Sequence, residues 1–183
     1  MLAAVNDDQP LSLRALAREV GIAPQSVYLH FGSKPELLRA VVETLFAELQ
    51  RRIEKAQGAQ TTPTARLQAH CRAYCEYGLR HPGHYKLLFE SPLTGSAGLA
   101  YEGSPGAKVF ENLAGAVRDC TECRAVPGQD PRYVATALWV GLHGIVSLRL
   151  GKPAFPWPPV ETMIDTLLAG LAGLPNDCRG VAS

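Results

Sequence analysis

Several things are scarce in this 183-residue chain. Charge of one sign is missing: 18 Lys and Arg against 17 Asp and Glu leave a formal net charge of +1. That excludes a strongly basic nucleic-acid coat and an acidic tail protein, so any affinity for nucleic acid must come from local placement of charge. Cysteine is sparse and odd in number, at Cys71, Cys75, Cys120, Cys123 and Cys178, which excludes a secreted disulfide scaffold and predicts free thiols. No run approaches the ~20 apolar residues of a membrane helix and no charged-then-apolar leader opens the chain. A soluble, cytoplasmic protein without a membrane partner is therefore expected. With 46% apolar residues the chain can build a core, but it is too short for a large multidomain enzyme.

Strict alternation bounded by hairpin turns is also missing, and what is present is helix punctuation, so the reading is all-α. A short helix over 13–20, after Ser12 and ended by Gly21, carries Leu13, Leu16, Ala17 and Val20 at helical spacing. A second opens at Pro24 and runs to about Phe31. Ser33-Lys34-Pro35-Glu36 is a capping box that starts a long helix to about Gln57, with Leu38, Val41, Leu45, Leu49 and Ile53 on its buried side. The polar break at 58–61 separates two expected domains, 1–57 and 58–183.

Beyond the break, Thr62-Pro63 caps a helix with Leu67, Cys71, Tyr74, Cys75 and Gly78 on one face, stopped at His81-Pro82. A short helix over 83–90 follows, then a surface loop over 91–103 rich in Gly, Ser and Pro. Ser104-Pro105 opens a helix with Val109, Phe110, Leu113, Val117 and Cys120 as its stripe. Asp130-Pro131 caps a helix to Leu150 that is apolar nearly all round, with Val134, Leu138, Gly141, Ile145 and Leu148 in one stripe. Pro158-Pro159 starts the last helix. A helix apolar on two sides needs two covers, which predicts a homodimer through Leu138, Ile145, Ile164, Leu167, Leu168 and Leu171.

The specific signal is LSLRALAREVGIAPQSVYLHFGSK over 11–34. Two short helices joined by Gly21-Ile22-Ala23 have the length and turn chemistry of a helix-turn-helix, whose second helix enters the major groove of double-stranded DNA. Gln25 and Ser26 are short polar groups able to meet base edges, and Tyr28, His30 and Lys34 can donate to phosphates. Residues 1–57 hold seven basic and seven acidic side chains, whereas 11–34 holds Arg14, Arg18 and Lys34 against Glu19 alone. By spacing alone, a plain helical hairpin fits as well as a DNA reader.

The stretches AREVGIA and VYLHFGSKPELL resemble the N-terminal domain of TetR-family transcriptional regulators. More weakly, RHPGHYKLLF (80–89) and WVGLHG (139–144) resemble the branch whose ligand domain carries a Trp-x-x-x-His-Gly signature. The resemblance implies a helix-turn-helix domain joined to a helical effector-binding and dimerisation domain, a repressor of operator DNA released by a small apolar effector. It implies that Pro24, Gln25, Ser26, Tyr28 and Leu29 face DNA, that Arg14 meets it from the preceding helix, and that His30 and Lys34 hold the backbone. Val27 and Phe31 would pack inward. Family members have a full helix before the Ser12 region, whereas only residues 1–8 precede Gln9-Pro10 here, so a stub that covers Leu16, Val20 and Val27 less well is expected.

Tyr74, Tyr77, Tyr85, Phe89, Phe110, Trp139 and His143 are candidates for lining an effector cavity, though each could equally fill the core. Cys71, Cys75, Cys120 and Cys123 could supply four thiolates to a metal or form a redox switch, which is the alternative reading; in an apolar stripe cysteine also behaves as a small hydrophobe. His70, His81 and His84 are too far from a nucleophile pattern to make an enzyme, so no catalytic residue, cofactor or metal is assigned.

Overall fold

The structure, a computed structural model, describes residues 34–90, 104–124 and 130–174, with the side chains of 36–90, 104–120 and 130–174. These residues form six helices and no strand: α1 Lys34–Gly58, α2 Pro63–Arg80, α3 Pro82–Phe89, α4 Pro105–Arg124, α5 Pro131–Gly151 and α6 Val160–Ala172. The fold is all-α, as the punctuation predicts. Two expected features, the helix pair over 13–31 and the loop over 91–103, lie outside the described residues, as does the Ser33 end of the capping box.

Local chemistry sets the helix ends. Thr62 Oγ1 accepts from the Ala65 amide at 3.2 Å, Ser104 Oγ from the Ala107 amide at 3.2 Å, and Asp130 Oδ1 from the Arg132 amide at 2.8 Å. Each cap precedes a proline whose missing N–H would be unpaired in the first turn anyway. α6 ends where Gly173 turns left-handed at φ 64°, and the Gly173 and Leu174 amides both donate back to the Leu168 carbonyl.

The chain divides into two compact units, Met1–Val41 and Val42–Ser183, so the C-terminal part of α1 belongs to the second. In that unit α2 packs on α4, α5 and α6, and α5 also packs on α4 and α6. Leu67, Cys71, Cys75, Val117, Ala135, Leu138, Val146 and Ile164 form its fully buried centre. Gly78 is required where α2 meets α5 and α3: a Cβ there would lie 2.7 Å from Val146 Cγ1 and 2.8 Å from the Tyr85 ring. α1 joins through large side chains, with Phe46 edge-on to Phe89 at 5.7 Å and the Arg52 guanidinium 5.4 Å from the Tyr77 ring centre.

Three expectations need correction. On α1, Leu45, Leu49 and Ile53 are buried, but Leu38 and Val41 are only half-buried, while Leu37, Val42 and Phe46 are buried instead. The buried face is turned toward Phe46, because its aromatic partner on α3 sits there. α5 is, by length and composition, apolar enough to cross a membrane, with mean hydropathy 1.4, contrary to the reading that no run approaches this. It packs on three other helices of the bundle. Finally, Leu138, Ile145, Ile164 and Leu168 are at most 4% exposed within the chain itself, so they cover their own core rather than a partner. The apolar residues α5 leaves outward are Tyr133, Val140 and Leu148, and only Leu167 and Leu171 of the six remain half-buried.

Candidate effector site

Helical spacing places Tyr74 and Cys71 on the same side of α2, Tyr85 and Phe89 on α3, Phe110 on α4, and Trp139 and His143 on α5. Four of the seven predicted aromatic and histidine residues converge: Tyr74, Phe89, Phe110 and Trp139 line one small cavity, together with Phe46, His70, Gly106, Val109, Leu113 and Leu142. Its volume is about 20 Å³, room for about one water. Phe46 and His70 are not among the predicted lining residues. His70 precedes the Cys71 position of the α2 stripe by one, and Phe46 lies beyond the polar break, where no helical period on α2 could reveal it.

The remaining three predicted residues lie around the cavity rather than in its wall. The Tyr85 hydroxyl lies 2.5 Å from His143 Nδ1 and also donates to the His143 carbonyl at 3.3 Å. Its ring sits between Tyr74 (6.3 Å) and Phe89 (4.9 Å), so it buttresses the cavity from behind. Tyr77 turns the other way, its hydroxyl 3.3 Å from His84 Nδ1 and its ring tilted against His81 and His84.

The electrostatics of the wall are uniform. Burial pushes the His70 imidazole down to about 4, partly offset by its hydrogen bond to Asn112, so it is neutral near pH 7. Because Asn112 Oδ1 can only accept, the 3.1 Å contact makes His70 Nδ1 the donor and leaves Nε2 with its lone pair. Burial likewise raises the Tyr74 phenol well above its ordinary value. The Tyr74 hydroxyl, close to Tyr85 and Trp139, makes no hydrogen bond of good geometry. A buried hydroxyl left so costs about 1–3 kcal/mol.

The other predicted groups separate. His70 stays with Asn112, while His81 and His84 stack with ring centres 5.2 Å apart, so the three imidazoles do not form one cluster. Cys71 and Cys75 are fully buried, and burial raises both thiols, Cys75 to about 12. Thiols held protonated this way are poor metal ligands and poor nucleophiles. Cys120 is buried beside Thr64 Oγ1 at 3.6 Å, and no group of three or more metal-ligating side chains occurs among the described residues. The Cys123 side chain, Cys178 and the DNA-reading candidates Arg14, Pro24, Gln25, Ser26, Tyr28, Leu29 and His30 lie outside the described residues, as does the side chain of Lys34.

Comparison with known proteins covers both halves of the chain. Residues 9–41 match the bacterial regulatory proteins of the tetR family, and residues 67–171 match the tetracyclin repressor-like C-terminal domain. The uncharacterized HTH-type transcriptional regulator Rv0681 of Mycobacterium tuberculosis is 27% identical over 140 residues, 76% of this chain and 61% of that protein. The HTH-type regulator Rv1816 of the same organism is 29% identical over 87 residues, 46% of this chain and 37% of that protein. The chain thus spans less than two thirds of the length of these curated relatives. Among solved structures, a protein of unknown function from Rhodococcus sp. RHA1 has a TM-score of 0.67 at 26% identity, covering 88% of this chain and 85% of that one. The TetR family transcriptional regulator PfmR of Thermus thermophilus has a TM-score of 0.60 at 21% identity, covering 90% and 89%, which speaks for the fold. Since the C-terminal match alone spans more than half of the chain, this protein belongs to the tetR family of bacterial regulatory proteins.

Proposed function

We propose that this protein is a dimeric repressor that binds operator DNA through its N-terminal helix-turn-helix and is released by a small, mostly apolar effector held in the second unit. The observation that carries the reading is the pairing of a tetR-family match over 9–41 with an aromatic cavity whose wall, Phe46 apart, lies in the region matched as the C-terminal domain. The family is one of regulators, not enzymes. AibR, whose structure was solved with isovaleryl coenzyme A and operator DNA, shares the fold at a TM-score of 0.62 and 17% identity, so one such fold accommodates both kinds of partner.

In this reading Gln25 and Ser26 meet base edges, with Pro24, Tyr28 and Leu29 beside them, and Arg14, His30 and Lys34 hold phosphates. Residues 58–183, together with Phe46 of α1, bind the effector, and residues 58–183 bind a second copy. Two reading helices must lie about one DNA turn apart, roughly 34–36 Å, to enter successive major grooves. An effector that binds better to a state with another separation weakens DNA binding by the ratio of its two affinities. α1 is the coupling element, since it starts at Lys34 and carries Phe46 in the cavity wall. The half-buried Leu167 and Leu171 and the outward Val140 and Leu148 supply the apolar face for the second copy. Trp139, His143 and Gly144 on α5 spell the Trp-x-x-x-His-Gly signature, which supports membership of that branch of the family.

The test is a gel shift with the DNA upstream of the protein's own gene at stated salt. Gln25→Ala or Tyr28→Ala should weaken the shift at least tenfold, whereas a Cys-less variant should retain it. Loss of the shift only in the Cys-less variant would favour a thiol-dependent regulator instead.

A further inference from the structure

The cavity in the second unit has three properties that together restrict its occupant. Its wall is dominated by rings, Phe46, Tyr74, Phe89, Phe110 and Trp139, which favour edge-to-face and offset contacts with another π-system. No Lys, Arg, Asp or Glu is among its described lining residues, so nothing there would balance a buried ionic group. Tyr74, 3% exposed, presents a hydroxyl that makes no hydrogen bond of good geometry, and the neighbouring Tyr85 hydroxyl is engaged with His143. A dry cavity would leave that hydroxyl orphaned.

Size follows from which part of the wall can move. Tyr74, Leu113 and Leu142 are buried, whereas Phe110 and Trp139 are half-buried and meet edge-on with ring centres 6.4 Å apart. The Arg132 guanidinium lies 5.4 Å from the Phe110 ring centre, held by Glu111 at 2.9 and 3.1 Å. Swinging Phe110 outward adds the space of one phenyl ring to a cavity of about 20 Å³.

From this we infer that the cavity receives an uncharged, single-ring aromatic molecule bearing one hydroxyl or carbonyl oxygen, which enters past Phe110 and Trp139 and hydrogen-bonds Tyr74 Oη. This deepens the effector-site reading proposed above and rests on it for its regulatory meaning, though the binding itself does not. Tyr74→Phe is the discriminating change, because it keeps the ring and removes only a hydroxyl that makes no hydrogen bond of good geometry within the protein.

The probes are phenol, toluene, cyclohexanol and benzoate, titrated calorimetrically into the full chain, with Trp139 fluorescence read in a Trp157→Phe background. Phenol is expected to bind with a Kd below about 1 mM, and cyclohexanol and benzoate at least tenfold more weakly. Tyr74→Phe should weaken phenol about tenfold and leave toluene within twofold, since only phenol loses a bond. Phe110→Ala should bind phenol at least threefold more tightly. The inference is overturned if phenol does not bind, if benzoate or cyclohexanol binds as well as phenol, or if both variants bind phenol as the natural chain does. A gel shift on the same preparation separates the two levels: DNA bound without phenol binding sinks the inference alone, and phenol bound without any DNA shift sinks the regulator reading alone.

Discussion

Tyr74 and Tyr77 lie one turn apart on α2, and both are buried, yet they belong to different chemical worlds. Tyr74 faces rings and a neutral imidazole, with no charged group beside it in the cavity wall. Tyr77 faces Arg52, which stacks on its ring and pairs with Glu48 at 2.6 Å, and the half-buried His81 and His84. The Arg52 hydrogen bond holds the Glu48 carboxyl below its ordinary range. The Tyr77 ring and hydroxyl both meet polar partners, whereas the Tyr74 ring meets other rings and its hydroxyl makes no hydrogen bond of good geometry. The residue type is the same; the neighbours decide what it can do.

That contrast can be broken at three strengths. The largest effect belongs to the closed side. Leu142 is 1% exposed in the cavity wall, so Leu142→Ala should cost about 2–5 kcal/mol, read as a lower urea midpoint at unchanged slope. Next comes pH. The His70 imidazole titrates near 6.5 when unfolded and near 4 when folded, so between those values the unfolded chain binds the extra proton. Stability is therefore full above about pH 6.5 and falls as pH drops toward 4, by about 2–3 kcal/mol, and His70→Gln should flatten that part of the profile. The smallest effect belongs to the open side. Arg52 is 38% exposed, so Arg52→Ala should cost at most about 1 kcal/mol, and less in 1 M salt, where the Glu48 pair is screened. A larger loss for Arg52→Ala than for Leu142→Ala would erase the distinction.

Much of the scaffold was legible before any coordinates. Thr62-Pro63, Ser104-Pro105 and Asp130-Pro131 each start a helix as read, and the α2 stripe of Leu67, Cys71, Tyr74, Cys75 and Gly78 is buried throughout. The family, too, was legible in AREVGIA and VYLHFGSKPELL. The cavity was legible only in part. Tyr74, Phe89, Phe110 and Trp139 could be named as aromatic residues on enclosing helices, but Tyr77 shares that description and turns away. Phe46 went unread because the α1 face was set one row off. Four of the six expected dimer residues, Leu138, Ile145, Ile164 and Leu168, lie in their own core for a related reason: α5 is apolar on several sides, and periodicity does not say which side its own chain claims first.

The amino-acid order alone determined where helices begin and end, since a cap is a hydrogen bond between residues two or three positions apart and a proline acts on its immediate neighbours. It also carried, in one contiguous stretch, the residues 9–41 that match the family. Only the tertiary structure decided how each helix is rotated about its axis, because that depends on the bulk presented by helices distant in the chain. That rotation brings Phe46, His70 and Tyr74 to one cavity, leaves the Tyr74 hydroxyl unpaired, and puts Val140 and Leu148 outside.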